Sequence, residues 1–94
     1  MNLDEVWREV EGFNGKYLIS NYGSTVGGRK RELLIQYGRK LPSVYLSGMS
    51  SGWYPVCQLV AKAFIDNPNN YKYVGFKNGD KRMSRVTNLE WIEG

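Results

Sequence analysis

The sequence predicts an α+β fold in which a small antiparallel sheet precedes one central helix and a hairpin. Eleven glycines in a chain of 94 residues indicate many tight turns, which favours short strands over long helices. Short apolar stretches bounded by Gly, Asn and Ser recur through the first half. The segment VCQLVAKAFI, residues 56–65, instead repeats its apolar side chains every three or four positions, which predicts a helix with one apolar face.

The strands follow from the order of these stretches along the chain. Residues 4–10 alternate only roughly and predict a short strand or a lead-in turn. Clearer strands are predicted at residues 16–20, 24–26, 33–36 and 43–47. The helix is expected to end at Asp66-Asn67-Pro68, because proline cannot continue a helix.

The composition indicates one globular domain over residues 1–94, with an N-terminal sheet motif (1–52) followed by a second part (53–94). A hydrophobic share of 41% with 14% aromatics argues against disorder. Cys57 is the single cysteine, which excludes an internal disulfide and a cysteine-based zinc site and suits a reducing cytoplasm. No apolar run approaches the length of a membrane span, and the N-terminus is too acidic for a signal peptide.

The charge pattern favours a partner that carries phosphates. Lys and Arg number 13 against 9 acidic residues, a net charge of +4, and a small basic domain is typical of proteins with a polyanionic partner. The basic residues gather in three predicted loops, where they are candidates for phosphate contact. They are Arg29, Lys30 and Arg31, then Arg39 and Lys40, and finally Lys77, Lys81, Arg82 and Arg85.

Aromatic side chains interleave with these loops and are candidates for stacking on bases. They are Tyr37, Trp53, Tyr54 and Tyr73, with Phe76 as a further candidate. A solvated charged surface explains any one basic cluster, whereas three loop clusters with interleaved aromatics fit a phosphate-bearing ligand better.

Two blocks of sequence resemble a known family. Residues 7–23, WREVEGFNGKYLISNYG, resemble the short modular DNA-binding motif at the front of many phage HNH homing endonucleases. Later segments resemble the HNH core of the same proteins in order and rough spacing: residues 59–64, Asn67-Pro68, the NGDK stretch at 78–81 and the NLEW stretch at 88–91. The resemblance implies a truncated hairpin of the ββα-metal type after the helix, while residues 27–52 match in pattern only.

The departures from the family pattern concern its catalytic positions. Cys57 replaces a histidine that usually precedes the helix, and Gly75 and Phe76 stand where typical members carry the metal-binding Asp or Asn and the histidine base. Hydrolysis of this kind needs a divalent ion and a base of near-neutral pKa. The resemblance assigns Asn88 to bracing the hairpin loop, and the chain stops before a final ligand helix. We therefore expect no catalytic residue, no metal, no cofactor and no enzyme activity.

Three functions remain open from the sequence. The first is a non-catalytic, phage-encoded protein that binds DNA through loop Arg and Lys and through stacking aromatics. The second is a viral counter-defence protein that sequesters a small cyclic nucleotide signal, in a deep pocket such as a homodimer interface would form. The third is an inhibitor that binds a host protein. In each case we expect the protein in the cytoplasm of an infected bacterial host. Phe76 is expected either to fill the position of the family's catalytic site or to offer an exposed face for stacking.

Overall fold

The computed structural model confirms the α+β class and the antiparallel pairing. It describes residues 4–27, 33, 35–37, 41–48 and 51–93. The described elements, in chain order, are β1 (Trp7–Glu9), β2 (Leu18–Ser20), β3 (Thr25–Val26), β4 (Ser43–Leu46), β5 (Gly52–Pro55), α1 (Val56–Phe64), β6 (Tyr73–Phe76), a 3-10 helix (Val86–Asn88) and β7 (Leu89–Ile92). Within these ranges the strands form three small antiparallel sheets: β1-β2-β3, β4-β5 and β6-β7.

The three-stranded sheet is closed by two tight connections. The Val10 amide donates to the carbonyl of Tyr17 at 3.0 Å and so closes the loop between β1 and β2. The β2–β3 turn, residues 21–24, is closed when the Gly23 amide donates to the Ser20 carbonyl at 3.0 Å. Gly23 has a φ of +88°, a conformation that side chains other than glycine adopt at a cost.

Helix α1 is the element that the three sheets share. It starts directly after Pro55 of β5 and ends at Phe64, one residue before the predicted end. The buried face consists of Val56, Cys57, Leu59, Val60 and Ala61. It contacts β2, β5, β6 and β7, so the apolar stripe seen in the sequence is the surface on which the rest of the fold packs.

The core combines side chains from all three sheets with the helix. Among the described residues the buried cluster consists of Val10, Tyr17, Ile19, Val44, Leu46, Val56, Cys57, Leu59, Val60 and Leu89. A two-stranded sheet is marginal alone in water, so the β4-β5 and β6-β7 sheets depend on burial against α1. The cluster therefore brings together residues that are far apart in sequence, from Val10 to Leu89 in β7.

Two sequence expectations differ from the structure in detail. Where residues 33–36 were expected to form a strand, the described residues show a single bridge between Gln36 and Ser43, and Leu34 lies outside the described residues. Residues 52–55, for which no strand was predicted, form a strand because they pair in register with β4 from Ser43↔Pro55 to Leu46↔Gly52. In the part of the chain that the structure describes, no helix is long and apolar enough to cross a membrane.

Truncating the core at β7 should destabilise the whole domain. Leu89 is 2% exposed, whereas Ile92 on the same strand is 38% exposed. We expect Leu89→Ala to lower the free energy of unfolding by about 2–5 kcal/mol through lost burial and a residual cavity. The matched Ile92→Ala should cost less than about 1 kcal/mol. Urea unfolding followed by tryptophan fluorescence measures both, and equal losses would contradict the assigned core.

Candidate nucleic-acid interface

The loop between β6 and β7 carries a dense positive charge. We call residues 77–88 the basic loop; its cations are Lys77, Lys81, Arg82 and Arg85, all exposed, and its carboxylate is Asp80. Cations this close repel one another, so the loop needs a rigid internal structure to hold them together.

Asn88 supplies much of that structure. Its side chain is 8% exposed, and its Oδ1 accepts a hydrogen bond from the Asn78 amide at 2.9 Å. Its Nδ2 donates to the carbonyl of Met83 at 3.0 Å, and its own carbonyl accepts from the Lys77 amide at 2.8 Å. Asn88 thus joins both ends of the basic loop to its middle. The buried amide makes bonds from both its oxygen and its nitrogen, as buried polar groups generally do.

The tip of the loop is held by two consecutive side-chain turns. The Asp80 amide donates to Asn78 Oδ1 at 2.8 Å, and the Arg82 amide donates to Asp80 Oδ1 at 3.0 Å. These are the turns that Asn and Asp favour. The Asp80 carboxylate also lies 3.8 Å from Arg82 Nε, but both groups are exposed, and such pairs contribute little. The loop therefore keeps an excess of positive charge.

The β2–β3 turn packs directly against the basic loop. The Val86 amide donates to the carbonyl of Asn21 at 2.9 Å. The guanidinium carbon of Arg85 lies 5.0 Å from the centre of the Tyr22 ring. A Cβ at Gly23 would lie 3.2 Å from the Ser84 carbonyl oxygen, so this close approach depends on glycine as well. The two blocks that resemble HNH endonucleases thus meet in one continuous surface.

The five other predicted phosphate contacts cannot be placed on or off this surface. Arg29, Lys30, Arg31, Arg39 and Lys40 lie outside the residues that the structure describes. Sequence reasoning also missed Tyr22. The signal for it was its place between Asn21 and Gly23 in a predicted turn, since an aromatic there is presented at the surface.

The exposed stacking candidates are Tyr37, Trp53 and Tyr73. Tyr37 is 60% exposed and Tyr73 is 58% exposed. Trp53 is 40% exposed and meets Tyr45 edge-on, with ring centres 5.6 Å apart. Their contact with bases stays a prediction.

The other two candidates are partly buried. Tyr54 packs edge-on against Phe13 with ring centres 5.6 Å apart. Phe76 is half-buried and packs against the core cluster. Phe76 therefore packs inward, as the first of the two expectations for it has it, and does not present an open face for stacking.

A groove of about 910 Å³ lies on another part of the molecule, between β1, α1 and the segment after the helix. Its charged lining carries both signs: Arg8, Lys62 and Lys72 against Glu9, Glu11 and Asp66. Arg8 is engaged within the fold, since its Nη1 donates to the Ala63 carbonyl at 2.7 Å and its guanidinium lies 4.8 Å from the centre of the Phe64 ring. The groove is therefore close to neutral.

The positions that resemble the family's metal site do not fit a metal ion. Gly75 pairs with Glu90 across the hairpin, and a Cβ at Gly75 would lie 3.0 Å from the Ile92 side chain. Neither glycine nor Phe76 offers a ligand atom, and within the described ranges no group of three His, Cys, Asp or Glu could hold a metal. Burial raises the pKa of the Cys57 thiol, which keeps it protonated and unsuited to bind metal at neutral pH.

Comparison with known proteins confirms the resemblance. No family model matches the sequence. Two proteins of Acanthamoeba polyphaga mimivirus, both named uncharacterized HNH endonucleases, are 38% identical over 95 residues and 33% identical over 82 residues. These matches cover 94% and 83% of this chain. The chain is a relative of HNH endonucleases. It spans about a quarter of the length of these two relatives, 24% in each case.

A solved structure agrees with the sequence matches. The HNH homing endonuclease I-HmuI, whose structure is described as showing DNA binding and cleavage, is similar to this HNH relative with a TM-score of 0.83 and 26% identity. The match covers 94% of this chain and 52% of that chain. The α+β arrangement of short antiparallel sheets around one helix is thus the fold of an HNH endonuclease.

The sequence-based expectation that the protein is not an enzyme is wrong. The mimivirus relatives are named HNH endonucleases and the solved neighbour is an HNH homing endonuclease, which points to nuclease activity in proteins of this kind. The expectation rested on Gly75, on Phe76 and on the point where the chain stops. Because the chain spans only part of each relative, its end carries no information about catalysis, and the two substitutions do not show that catalysis is lost.

Removing the Asn88 amide should loosen the basic loop selectively. Asn88→Ala leaves the Asn78 amide and the Met83 carbonyl without their partners, at a cost of about 1–3 kcal/mol. We expect fast hydrogen exchange at the Asn78 amide. The matched control is Asn67→Ala, because Asn67 makes the same pair of bonds to Tyr71, at 2.8 and 2.9 Å, in a different loop. Amide exchange measured by NMR should show unchanged protection of Asn78 in the control.

Proposed function

We propose that this chain is a nucleic-acid-binding part of an HNH-endonuclease-like protein and that it docks on DNA through the basic loop. The observation that carries the proposal is a loop that holds four exposed cations around one carboxylate and is fixed by the buried Asn88 amide. A loop whose backbone is already fixed loses little conformational freedom when its cations meet phosphates, so more of their attraction is available as affinity.

The relatives support DNA as the polyanion. The I-HmuI structure is described in terms of DNA binding and cleavage, and it shares the fold over 94% of this chain at 26% identity. The segment that this chain shares with it includes both the β2–β3 turn and the basic loop. Phosphates along a duplex are regularly spaced, and a rigid group of loop cations suits such a ligand.

The mixed charge of the groove lining favours DNA over a small cyclic nucleotide as the ligand of this chain. A sequestered dianion would need an enclosed site with a net positive lining, whereas the groove sets Glu9, Glu11 and Asp66 against its three cations. The excess positive charge lies instead on the open surface of the basic loop. A sponge for a cyclic nucleotide and an inhibitor of a host protein therefore gain no support from the described residues.

Other expectations stay predictions. They are the phage origin, the cytoplasm of an infected bacterial host, a homodimer, the division at residue 52 and the phosphate contacts of the basic residues outside the described ranges. The curated relatives come from a virus of another kind, Acanthamoeba polyphaga mimivirus.

The salt dependence of DNA binding tests the proposal. We expect the affinity for a fluorescent 20-base-pair duplex to fall linearly on a log–log plot against salt, because phosphate contacts release counterions. Replacing Lys77 and Lys81 together by alanine should reduce the slope by about 1.8, that is about 0.9 for each lost contact. Fluorescence anisotropy between about 50 and 200 mM salt covers the range in which that change is large.

The matched control removes two positive charges from residues that line the groove. Lys62→Ala with Lys72→Ala lowers the net charge by two, as the loop variant does, and both lysines line the groove. We expect the control slope to stay near that of the unmodified protein. Equal losses in both variants would show attraction by net charge alone, and a flat salt response would contradict docking on phosphates. A thermal shift with a cyclic dinucleotide, in place of duplex DNA, would favour the sponge.

A further inference from the structure

We propose that the junction of the β2–β3 turn and the basic loop is a phosphate-binding subsite, in which Arg85 contacts the phosphate and Tyr22 is the positioning residue that holds it. The inference rests on the proposed function and deepens it, because it assigns one contact to one place on the surface.

The backbone around Arg85 is fixed on both sides. The Arg85 carbonyl accepts a hydrogen bond from the Asn88 amide at 2.9 Å. The next amide, that of Val86, donates to the Asn21 carbonyl at 2.9 Å. One bond ties Arg85 to the end of the basic loop and the other ties its neighbour to the β2–β3 turn, so the start of the side chain is held at the junction.

The turn that carries Tyr22 is equally constrained. The Ser20 hydroxyl oxygen accepts from the Tyr22 amide at 3.2 Å and from the Ser24 amide at 3.1 Å, and it donates to Glu5 Oε2 at 2.8 Å. On the other side, Asn21 exchanges hydrogen bonds with Val6, through its side-chain oxygen at 2.9 Å and its backbone amide at 3.1 Å. The backbone that carries the Tyr22 ring is therefore held in place beside Arg85.

The contact with Tyr22 leaves the N–H donors of Arg85 without a hydrogen-bond acceptor among the described residues. The guanidinium carbon lies 5.0 Å from the centre of the Tyr22 ring, within the distance of a cation–π contact. A cation–π contact needs none of the guanidinium N–H donors, which are arranged in the fork that matches two phosphate oxygens. Tyr22 thus removes rotamer freedom that Arg85 would otherwise lose on binding, without using its donors.

A comparison with Arg8 supports the assignment of Arg85 as the phosphate contact. Arg8 also stacks on an aromatic ring, that of Phe64, but its Nη1 already donates to the Ala63 carbonyl at 2.7 Å. No such acceptor is found for the Arg85 side chain among the described residues. Arg8 thus uses a donor to bond a carbonyl at the end of α1, whereas the donors of Arg85 remain available to a ligand.

A double-mutant cycle on duplex DNA tests the subsite. Arg85→Ala should reduce the slope of the salt dependence by about 0.9, the value of one phosphate contact. Tyr22→Leu should weaken binding by about two- to five-fold, the factor that an exposed cation–π contact supplies. In the Arg85→Ala background Tyr22→Leu should have no further effect. Tyr22→Phe, which keeps the ring, should bind like the unmodified protein.

An NMR readout separates positioning from stability. The ring current of Tyr22 should shift the Arg85 Nε–H signal, and the shift should persist in Tyr22→Phe and disappear in Tyr22→Leu. Thermal melting of each variant verifies that it is folded. If Tyr22→Leu does not fold, the subsite is tested by Arg85→Ala together with Arg85→Lys. The lysine variant keeps the positive charge but lacks the planar guanidinium. Arg85→Lys should retain the slope and bind more weakly.

The outcomes distinguish this inference from the proposed function. If neither Arg85→Ala nor the Lys77/Lys81 double variant changes the salt slope, docking through the basic loop is overturned and the subsite with it. If the lysine variant lowers the slope and Arg85→Ala does not, only the subsite is overturned. If Tyr22→Leu weakens binding equally with and without Arg85, the positioning role of Tyr22 is overturned.

Discussion

The surface of this protein depends on one buried amide, that of Asn88. Its two side-chain hydrogen bonds, to the Asn78 amide and the Met83 carbonyl, hold a twelve-residue connection, residues 77–88, in a single shape. Four cations in such a short segment would spread apart if the segment were free. The adjacent Leu89 is buried in the core, so the amide that shapes the loop is anchored by the same strand that anchors the hairpin.

Helix α1 makes this arrangement possible at small size. The two-stranded sheets are too small to be stable alone, and all three sheets contribute apolar side chains to the core around the helix. The β2–β3 turn and the basic loop thereby meet closely enough for the Val86 amide to bond to the carbonyl of Asn21, 65 positions earlier in the chain. Gly23 permits the contact, because a side chain there would collide with the Ser84 backbone.

The sequence predicted those parts of the fold that local patterns determine. The apolar stripe at residues 56–65 predicted α1 to within one residue, since helix periodicity and Pro68 are local signals. The contact of Arg85 with Tyr22 could not be predicted, because it joins two turns whose approach is set by packing on the helix. The inference from Gly75 and Phe76 to a non-enzyme was wrong, because the relatives that match this chain over about a quarter of their length are named HNH endonucleases, and two residue types do not show that catalysis is lost.

The central claim is that the basic loop and the β2–β3 turn form one DNA-binding surface, and chemical-shift mapping with a short duplex tests it most directly. Backbone amide signals of residues 21–24 and 77–88 should move together as DNA is added. Signals of groove residues such as Gln58, Lys62 and Tyr71 should stay in place. Shifts concentrated in the groove, or confined to one of the two segments, would contradict the account.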